Sequence, residues 1–225
     1  MVLSISALDV DEVLRYMGCP PDRADEGLRA QAQHACAQIL REARPRWTWR
    51  CFSIAEEAEG VRLSCGLLLP GGDLKRHLAG CGRAALFCAT LGAQTDSLIR
   101  RAQSVDMLRG LALDCAADAA VEQVCDQVET ELQGQFPGCF FPFRYSPGYG
   151  DLPLTLQGRL LELLDAPRRV GLTASASHIL IPRKSVTAIL GVADQPIAQS
   201  VRSCLSCPAH AGCIYRKSGG HCGIS

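Results

Sequence analysis

Apolar residues recur every three or four positions in some segments of this chain, and at every second position or in continuous runs in others. The first pattern is typical of amphipathic helices and the second of strands. Helices are predicted over residues 8–17, 24–43, 71–79, 93–103 and 107–132. Strands are predicted over residues 47–54, 61–69 and 84–91. Because helices and strands alternate irregularly, without regular βαβ units, their order favours an α+β fold with an antiparallel sheet.

Two packing arrangements are also expected from the pattern. The strand over residues 47–54 is expected to pair with the strand over 61–69, across a polar, Glu-rich turn at 56–60. The predicted helix over 107–132 carries one apolar stripe that is expected to face the core. This stripe consists of Leu108, Leu111, Cys115 and Ala119.

A change in composition near Gln195 divides the chain. A length of 225 residues suits one domain with an appendage, and no internal repeat or low-complexity linker interrupts it. The last part of the chain is rich in Cys, Gly and His and poor in core residues. We therefore predict a folded domain over residues 1–195 and a Cys-rich tail over residues 196–225.

Charge and cysteine content narrow the classes of function. Lys+Arg and Asp+Glu both number 23, so the net charge is zero, which argues against a nucleic-acid-binding surface. No apolar run approaches the ~20 residues of a membrane span, and the first residues lack the pattern of a signal peptide. The 13 cysteines are odd in number, in a chain large enough to fold without disulfides. These features predict a cytoplasmic protein with metal or redox chemistry.

Residues 144–153 form the most unusual segment, with one arginine and two each of tyrosine, glycine and proline. The prolines restrict the backbone, and Gly148 and Gly150 permit angles closed to other residues. Such a stiff loop is suited to binding. Arg144 offers a planar fork for a carboxylate or phosphate, and Tyr149 offers a flat face with a polar tip. The alternative is a structural turn between a helix and the next element.

The order Arg-x-x-x-Gly-Tyr, from Arg144 to Tyr149, resembles the signature of the activation domain of cobalamin-dependent methionine synthase. In that family the arginine, the backbone after it and the tyrosine hold S-adenosylmethionine (AdoMet) beside the corrin ring. The resemblance covers roughly residues 8–192. It includes the segments 86–92, 111–128 and 171–173, a helix-like stretch over 155–164 and a strand-like stretch over 185–191. The multidomain enzymes of the family have a proline directly after Gly-Tyr, whereas here Gly150 and Asp151 intervene.

This resemblance implies a bent antiparallel sheet flanked by helices, and a role in methionine biosynthesis. The chain would reactivate a cobalamin-dependent methionine synthase that lacks its own activation domain, or would serve another corrinoid protein. The partner would hold the cobalamin, and a donor such as ferredoxin or flavodoxin would supply an electron. AdoMet would then methylate the cobalt. No catalytic acid, base or nucleophile is implied, because this chain would orient AdoMet and cover the corrin.

Site residues follow from the same resemblance. Those expected to bind AdoMet are Glu122, Arg144, Ser146, Gly148 and Tyr149, and Tyr149 is also expected to contact the cobalamin. Arg144 would hold the AdoMet carboxylate, and Glu122 would face its ammonium or sulfonium. The family places its acidic ligand in this helix, where Gln123 is the alternative to Glu122. Other interpretations are an ion pair between Glu122 and an arginine that holds a helix, and a Tyr149 that packs a turn.

The tail contains four closely spaced cysteines, which we call the tail cysteines: Cys204, Cys207, Cys213 and Cys222. Four thiolates this close are a credible site for zinc or an iron–sulfur cluster, although the spacing matches neither a zinc ribbon nor a ferredoxin. A cluster could relay an electron to cobalamin, and the alternative is a reduced tail without metal. Two other functions remain open: a docking or chaperone subunit of a corrinoid protein without AdoMet binding, and a small iron–sulfur electron-transfer or metal-sensing protein.

Overall fold

The computed structural model of this protein describes residues 5–197. Its helices are α1 (Val10–Tyr16), α2 (Glu26–Glu42), α3 (Gly72–His77), α4 (Ala93–Gln103), α5 (Met107–Gln135), α6 (Gln157–Leu163) and α7 (Ala166–Arg169). Its strands are β1 (Arg46–Glu57), β2 (Gly60–Leu63), β3 (Leu68–Pro70), β4 (Arg83–Thr90), β5 (Thr173–Ala174), β6 (Leu180–Ile181) and β7 (Ser185–Val192). Short 3-10 turns lie at Pro21–Arg23 and Leu154–Leu156.

The main sheet has five antiparallel strands in the order β3-β2-β1-β4-β7, and β5 and β6 form a separate hairpin. This confirms the predicted α+β class with an antiparallel sheet. The sheet bends at β1, because this long strand changes partners along its length. Its first part, from Arg46 to Ser53, pairs with β4, and its last part, from Ile54 to Glu57, pairs with β2.

The predicted pairing of residues 47–54 with 61–69 is confirmed in part: β1 and β2 are antiparallel neighbours, but they pair only from Ile54 onwards. Of the first segment, Ile54 alone pairs with β2, because the buried run of β4 offers the rest of β1 a partner eight residues long. The predicted strand 61–69 is two strands, β2 and β3, which pair with each other. A tight turn separates them, and Gly66 adopts a positive φ of 91° there.

Helices cover both faces of the sheet, and β4 is buried between two cores. On one face, Ala85 and Phe87 of β4 pack among the buried residues of α1, α2, α4 and α5. On the other face, Leu86 and Cys88 pack with α3, α6 and α7. Strands buried on both sides have continuous apolar sequences, which explains the run that predicted β4.

The predicted core stripe of the long helix is half wrong. Cys115 and Ala119 of α5 are buried, but Leu108 and Leu111 are exposed. The helix turns a row of small residues inward instead, including Ala112 and Ala116. Small side chains let neighbouring helices and strands approach closely, so the alanines, not the larger leucines, mark the buried face. None of the helices in residues 5–197 is long and apolar enough to cross a membrane.

Candidate functional site

The segment that follows α5 lies along the outer edge of β7. Tyr145 exchanges two backbone hydrogen bonds with Ile189, at 2.9 and 2.8 Å, and Phe140 exchanges two with Ala193, at 2.8 and 2.9 Å. These bridges complete the edge of the sheet as an extra strand would. They also fix where the chain emerges into the loop over residues 146–151, next to α5 on one side and α6 on the other.

This loop is closed by its own backbone. Gly148 N–H donates to Leu152 O at 2.9 Å, and Tyr149 N–H donates to Ser146 O at 3.0 Å. Gly148 and Gly150 both have positive φ, at 94° and 50°. A Cβ on Gly150 would collide with the hydroxyl of the buried Tyr145. The backbone therefore has the internal bonds and glycine geometry expected of a stiff loop.

Asp151 fixes the far end of the loop to α3. Its carboxylate accepts hydrogen bonds from Gly72 N–H at 2.7 Å and from Asp73 N–H at 3.1 Å. These are free donors at the start of a helix, where negative charge is stabilising. Gly150 and Asp151, the two residues that separate Gly-Tyr from the following Leu152 and proline, therefore anchor the loop.

Arg144 is buried against α5, where its guanidinium meets three carboxylates. Nη2 donates to Glu122 at 2.6 Å, and Nη1 donates both to Asp126 at 2.7 Å and to Glu129. Burial by itself lowers the pKa of this guanidinium, but Glu129 and the other carboxylates outweigh it, so the pKa is raised. The ion pair between Glu122 and an arginine, which the sequence left open as the alternative to AdoMet binding, is therefore present, and AdoMet binding by Glu122 stays a prediction.

A cleft of about 200 Å³ opens between α5, the loop and β7. Its lining residues are Glu122, Arg144, Ser146, Pro147, Tyr149, Gln157, Leu180, Ser185, Val186 and Thr187. Four of the five residues expected to bind AdoMet are in this set. The fifth, Gly148, forms the turn behind them. Gln123, the alternative to Glu122, is not among the lining residues.

A solved structure described as the MetH reactivation domain bound to AdoHcy is similar to this chain. The TM-score is 0.62, the match covers 96% of this chain and 82% of that chain, and the sequence identity is 14%. The chain has the fold of the MetH reactivation domain. No family model matches the sequence, and a comparison with curated proteins finds no match.

Within this reactivation-domain fold, two residues of α5 that the sequence did not predict also contact Arg144. Asp126 and Glu129 follow Glu122 by four and seven positions, so the three carboxylates lie on one side of the helix. They differ in exposure: the side chain of Glu122 is 43% exposed, that of Asp126 66% and that of Glu129 18%. The helical spacing was a signal that could have found them, but it could not show that Arg144 faces all three.

Two further missed residues form a polar pair in the cleft. Thr187 of β7 donates from its hydroxyl to Oε1 of Gln157, at the start of α6, at 2.9 Å. Both side chains are buried. They lie 30 positions apart in the sequence, so no local pattern pointed to the pair.

Large apolar side chains are exposed around the cleft. Tyr149 is 48% exposed, although its ring meets that of Tyr145 edge-on with the centroids 5.8 Å apart. Leu154, just after the loop, is exposed as well. Ile179 and Ile181, exposed on the β5–β6 hairpin, flank the lining residue Leu180. This surface combines a polar cleft with an apolar rim.

The tail cysteines lie outside the described residues, so both the metal site and the division of the chain at residue 195 stay predictions. Among residues 5–197, no group of three or more His, Cys, Asp or Glu side chains could hold a metal ion.

Proposed function

We propose that this chain binds AdoMet in the cleft between α5 and the 146–151 loop and presents it to cobalamin held by a partner protein. The partner is a cobalamin-dependent methionine synthase without its own activation domain, or another corrinoid protein. The observation that carries this proposal is the cleft itself, which gathers Glu122, Arg144, Ser146 and Tyr149. The similar MetH domain, whose solved structure holds AdoHcy, supports the choice of ligand.

Arg144 has the geometry to hold the carboxylate of AdoMet after a change of partners. Its Nη1 donates to Asp126 and Glu129, and its Nη2 donates to Glu122. The ligand carboxylate takes the Nη2 side and displaces Glu122. The displaced side chain is partly exposed, so it can turn towards the ligand ammonium. The ion pair between Arg144 and Glu122 is thereby replaced by two, one between Arg144 and the ligand carboxylate and one between Glu122 and the ligand ammonium.

The loop supplies the remaining contacts. Ser146 offers a hydroxyl, and Gly148 lets a ligand approach the backbone because it has no side chain. The ring of Tyr149 is half exposed at the edge of the cleft, where it can lie against AdoMet or the corrin. Since the loop is already closed by its own hydrogen bonds, binding costs little ordering of the backbone.

The chemistry needs no acid, base or nucleophile from this chain. One electron from a donor protein reduces cob(II)alamin, and the AdoMet methyl group passes to the cobalt to give methylcobalamin and AdoHcy. The role of this chain is to hold the methyl group in line with the metal and to keep water away from it.

Calorimetry with AdoMet tests the binding step. Wild type is expected to bind, and Glu122→Gln and Arg144→Lys are expected to bind several-fold more weakly. Phe140→Ala is the control, because Phe140 is exposed but does not line the cleft. No AdoMet binding by the folded wild-type protein would overturn the proposal.

Reactivation is tested with an oxidised, cobalamin-loaded methionine synthase that lacks its activation domain. Methionine formation with AdoMet and a reductant should recover only when this chain is added. Tyr149→Ala should reduce recovery without loss of stability, since the side chain is half exposed, and Tyr149→Phe should retain most of it. Equal recovery with and without the chain would contradict the proposal.

One observation favours a second candidate, a docking or chaperone subunit without AdoMet binding. The guanidinium of Arg144 is already satisfied by three carboxylates, which is what a purely structural cluster would show. Under this alternative the corrinoid protein binds the apolar rim around Tyr149 and Leu154. A stable complex with a corrinoid protein, combined with no AdoMet binding, would support it.

A further inference from the structure

The cleft has a charged side and a neutral side. Its charged lining residues, Glu122 and Arg144, lie on α5 and in the segment that follows it. The lining residues that come from α6, β6 and β7 are all neutral. Leu180 and Val186 supply apolar surface there, and Gln157 supplies an amide. The neutral side is therefore suited to an uncharged group that carries a few polar atoms.

The side chain of Gln157 is only 5% exposed, and one hydrogen bond orients it. Thr187, which is itself buried, donates from its hydroxyl to Oε1 of Gln157 at 2.9 Å. Because Oε1 points to Thr187, the planar amide turns its NH2 group away from that residue. Among residues 5–197, this NH2 group has no hydrogen-bond partner. Since Gln157 lines the cleft, the unused donor is available to a ligand.

Stability of the fold does not account for an unpaired donor on a side chain this buried. Buried polar groups are normally hydrogen-bonded, and a buried donor without a partner is destabilising. A methionine at position 157 has a similar length and would fill the same space without an unpaired donor. An acceptor atom on a bound ligand would satisfy the amide.

Adenosine is the part of AdoMet that matches the neutral side of the cleft. Under the proposed function, Arg144 and Glu122 take the carboxylate and the ammonium of the ligand, which are the charged groups of its amino-acid end. The adenosine part is uncharged near neutral pH. It has hydrogen-bond acceptors in its ring nitrogens and ribose hydroxyls, and its flat base suits apolar surface such as that of Leu180 and Val186.

We infer that Gln157 is a specificity-determining residue of this cleft and donates a hydrogen bond from its amide to the adenosine part of the ligand. Thr187 is a positioning residue, because it acts through Gln157. This inference rests on the proposed function and adds to it the residue that recognises the uncharged half of AdoMet. The loss of one such neutral hydrogen bond should weaken binding about 3- to 10-fold.

The test is calorimetry of the full chain with AdoMet and with 5′-methylthioadenosine. The second ligand keeps the adenosine and lacks the amino-acid end, so it reports on the neutral side of the cleft alone. The main variant combines Gln157→Met with Thr187→Val. It replaces both partners of the buried pair by apolar groups of similar shape, so its Tm should stay close to that of wild type.

A second variant and a control complete the design. Gln157→Glu keeps an acceptor for the hydroxyl of Thr187 and replaces the NH2 donor by an oxygen. It decides the question if the double variant does not fold. Because 5′-methylthioadenosine is uncharged, the new carboxylate does not attract it as it would attract AdoMet. Gln33→Met is the matched control, because Gln33 is exposed on α2 and does not line the cleft.

Wild type is expected to bind both ligands, and the double variant to bind both about 3- to 10-fold more weakly. Gln157→Glu should weaken 5′-methylthioadenosine at least as much, whereas Gln33→Met should bind like wild type. Two results would overturn the inference and leave the proposed function standing: a wild type that binds AdoMet but not 5′-methylthioadenosine, or variants at Gln157 that bind 5′-methylthioadenosine as tightly as wild type. Failure of wild type to bind AdoMet would overturn the proposed function instead.

Discussion

Replacement of Arg144 by methionine tests whether the arginine cluster stabilises the fold as well as the site. Methionine has a similar length and no charge, so the substitution fills the space and removes the cation. Glu122, Asp126 and Glu129 then face each other on one side of α5 without the guanidinium that joins them. Arg144→Met should therefore be less stable than wild type.

The loss of stability in Arg144→Met depends on how well each carboxylate can be hydrated once the guanidinium is gone. Removing one partner of a fully buried ion pair costs about 3–5 kcal/mol. Glu122 and Asp126 are 43% and 66% exposed and can rehydrate, whereas Glu129 is only 18% exposed. The unpaired, mostly buried carboxylate of Glu129 should therefore contribute most of the loss, and we expect the free energy of unfolding to fall by about 2–4 kcal/mol. For a domain of this size that corresponds to a decrease of roughly 5–15 °C in Tm.

Urea unfolding followed by circular dichroism measures the effect. Arg144→Lys keeps a charge but not the planar fork, so it should lose less stability than Arg144→Met. Glu129→Gln should recover part of the loss in the Arg144→Met background, with a coupling free energy of about 1 kcal/mol or more. Arg168→Met is the control, because Arg168 is exposed at the end of α7.

A loss for Arg144→Met no larger than that for Arg168→Met would refute this reasoning. It would mean that the three carboxylates are hydrated in solution and that Arg144 does not bind them as a cluster. A loss that Glu129→Gln does not reduce would show that the buried carboxylate is not the source of the cost.

Three further predictions concern the loop, the cysteines of the fold and the tail. Asp151→Ala removes the cap of α3, so it should lower the free energy of unfolding by about 1 kcal/mol and Tm by roughly 2–4 °C in thermal unfolding. An unchanged Tm would show that the cap does not stabilise the fold. Iodoacetamide at pH 8 should modify the exposed Cys65 but not Cys88, as read by mass spectrometry. Burial raises the pKa of the Cys88 thiol to about 12, so at pH 8 the thiol stays protonated and unreactive in the folded protein. Cys88 should react only after the protein is unfolded in urea, and modification of Cys88 in the native protein would contradict this prediction. Protein purified without oxygen should contain iron or zinc bound by the tail cysteines, and a variant with all four changed to serine should contain neither; a wild type without either metal would refute the metal site.

Local patterns were enough to predict the class of the fold. Hydrophobic spacing predicted the helix Ala93–Gln103 at its observed bounds and the buried strand β4 to within one residue. Such patterns succeed because each helix or strand buries one side, and the buried residues recur along the sequence with the period of that element. The resemblance around Arg144 and Tyr149 similarly identified the loop and the helix that border the cleft, but AdoMet binding by these residues stays a prediction.

Only the tertiary structure decided which segments that are distant in the sequence contact each other. The pairing of β1 with β4, the cap of α3 by Asp151 and the Gln157–Thr187 pair join residues between 30 and 79 positions apart. No periodicity encodes which partner a strand takes or which side chains a buried arginine meets. The same holds for α5, where an alanine face was buried in preference to Leu108 and Leu111, because the space between neighbouring elements, not hydrophobicity, selected it.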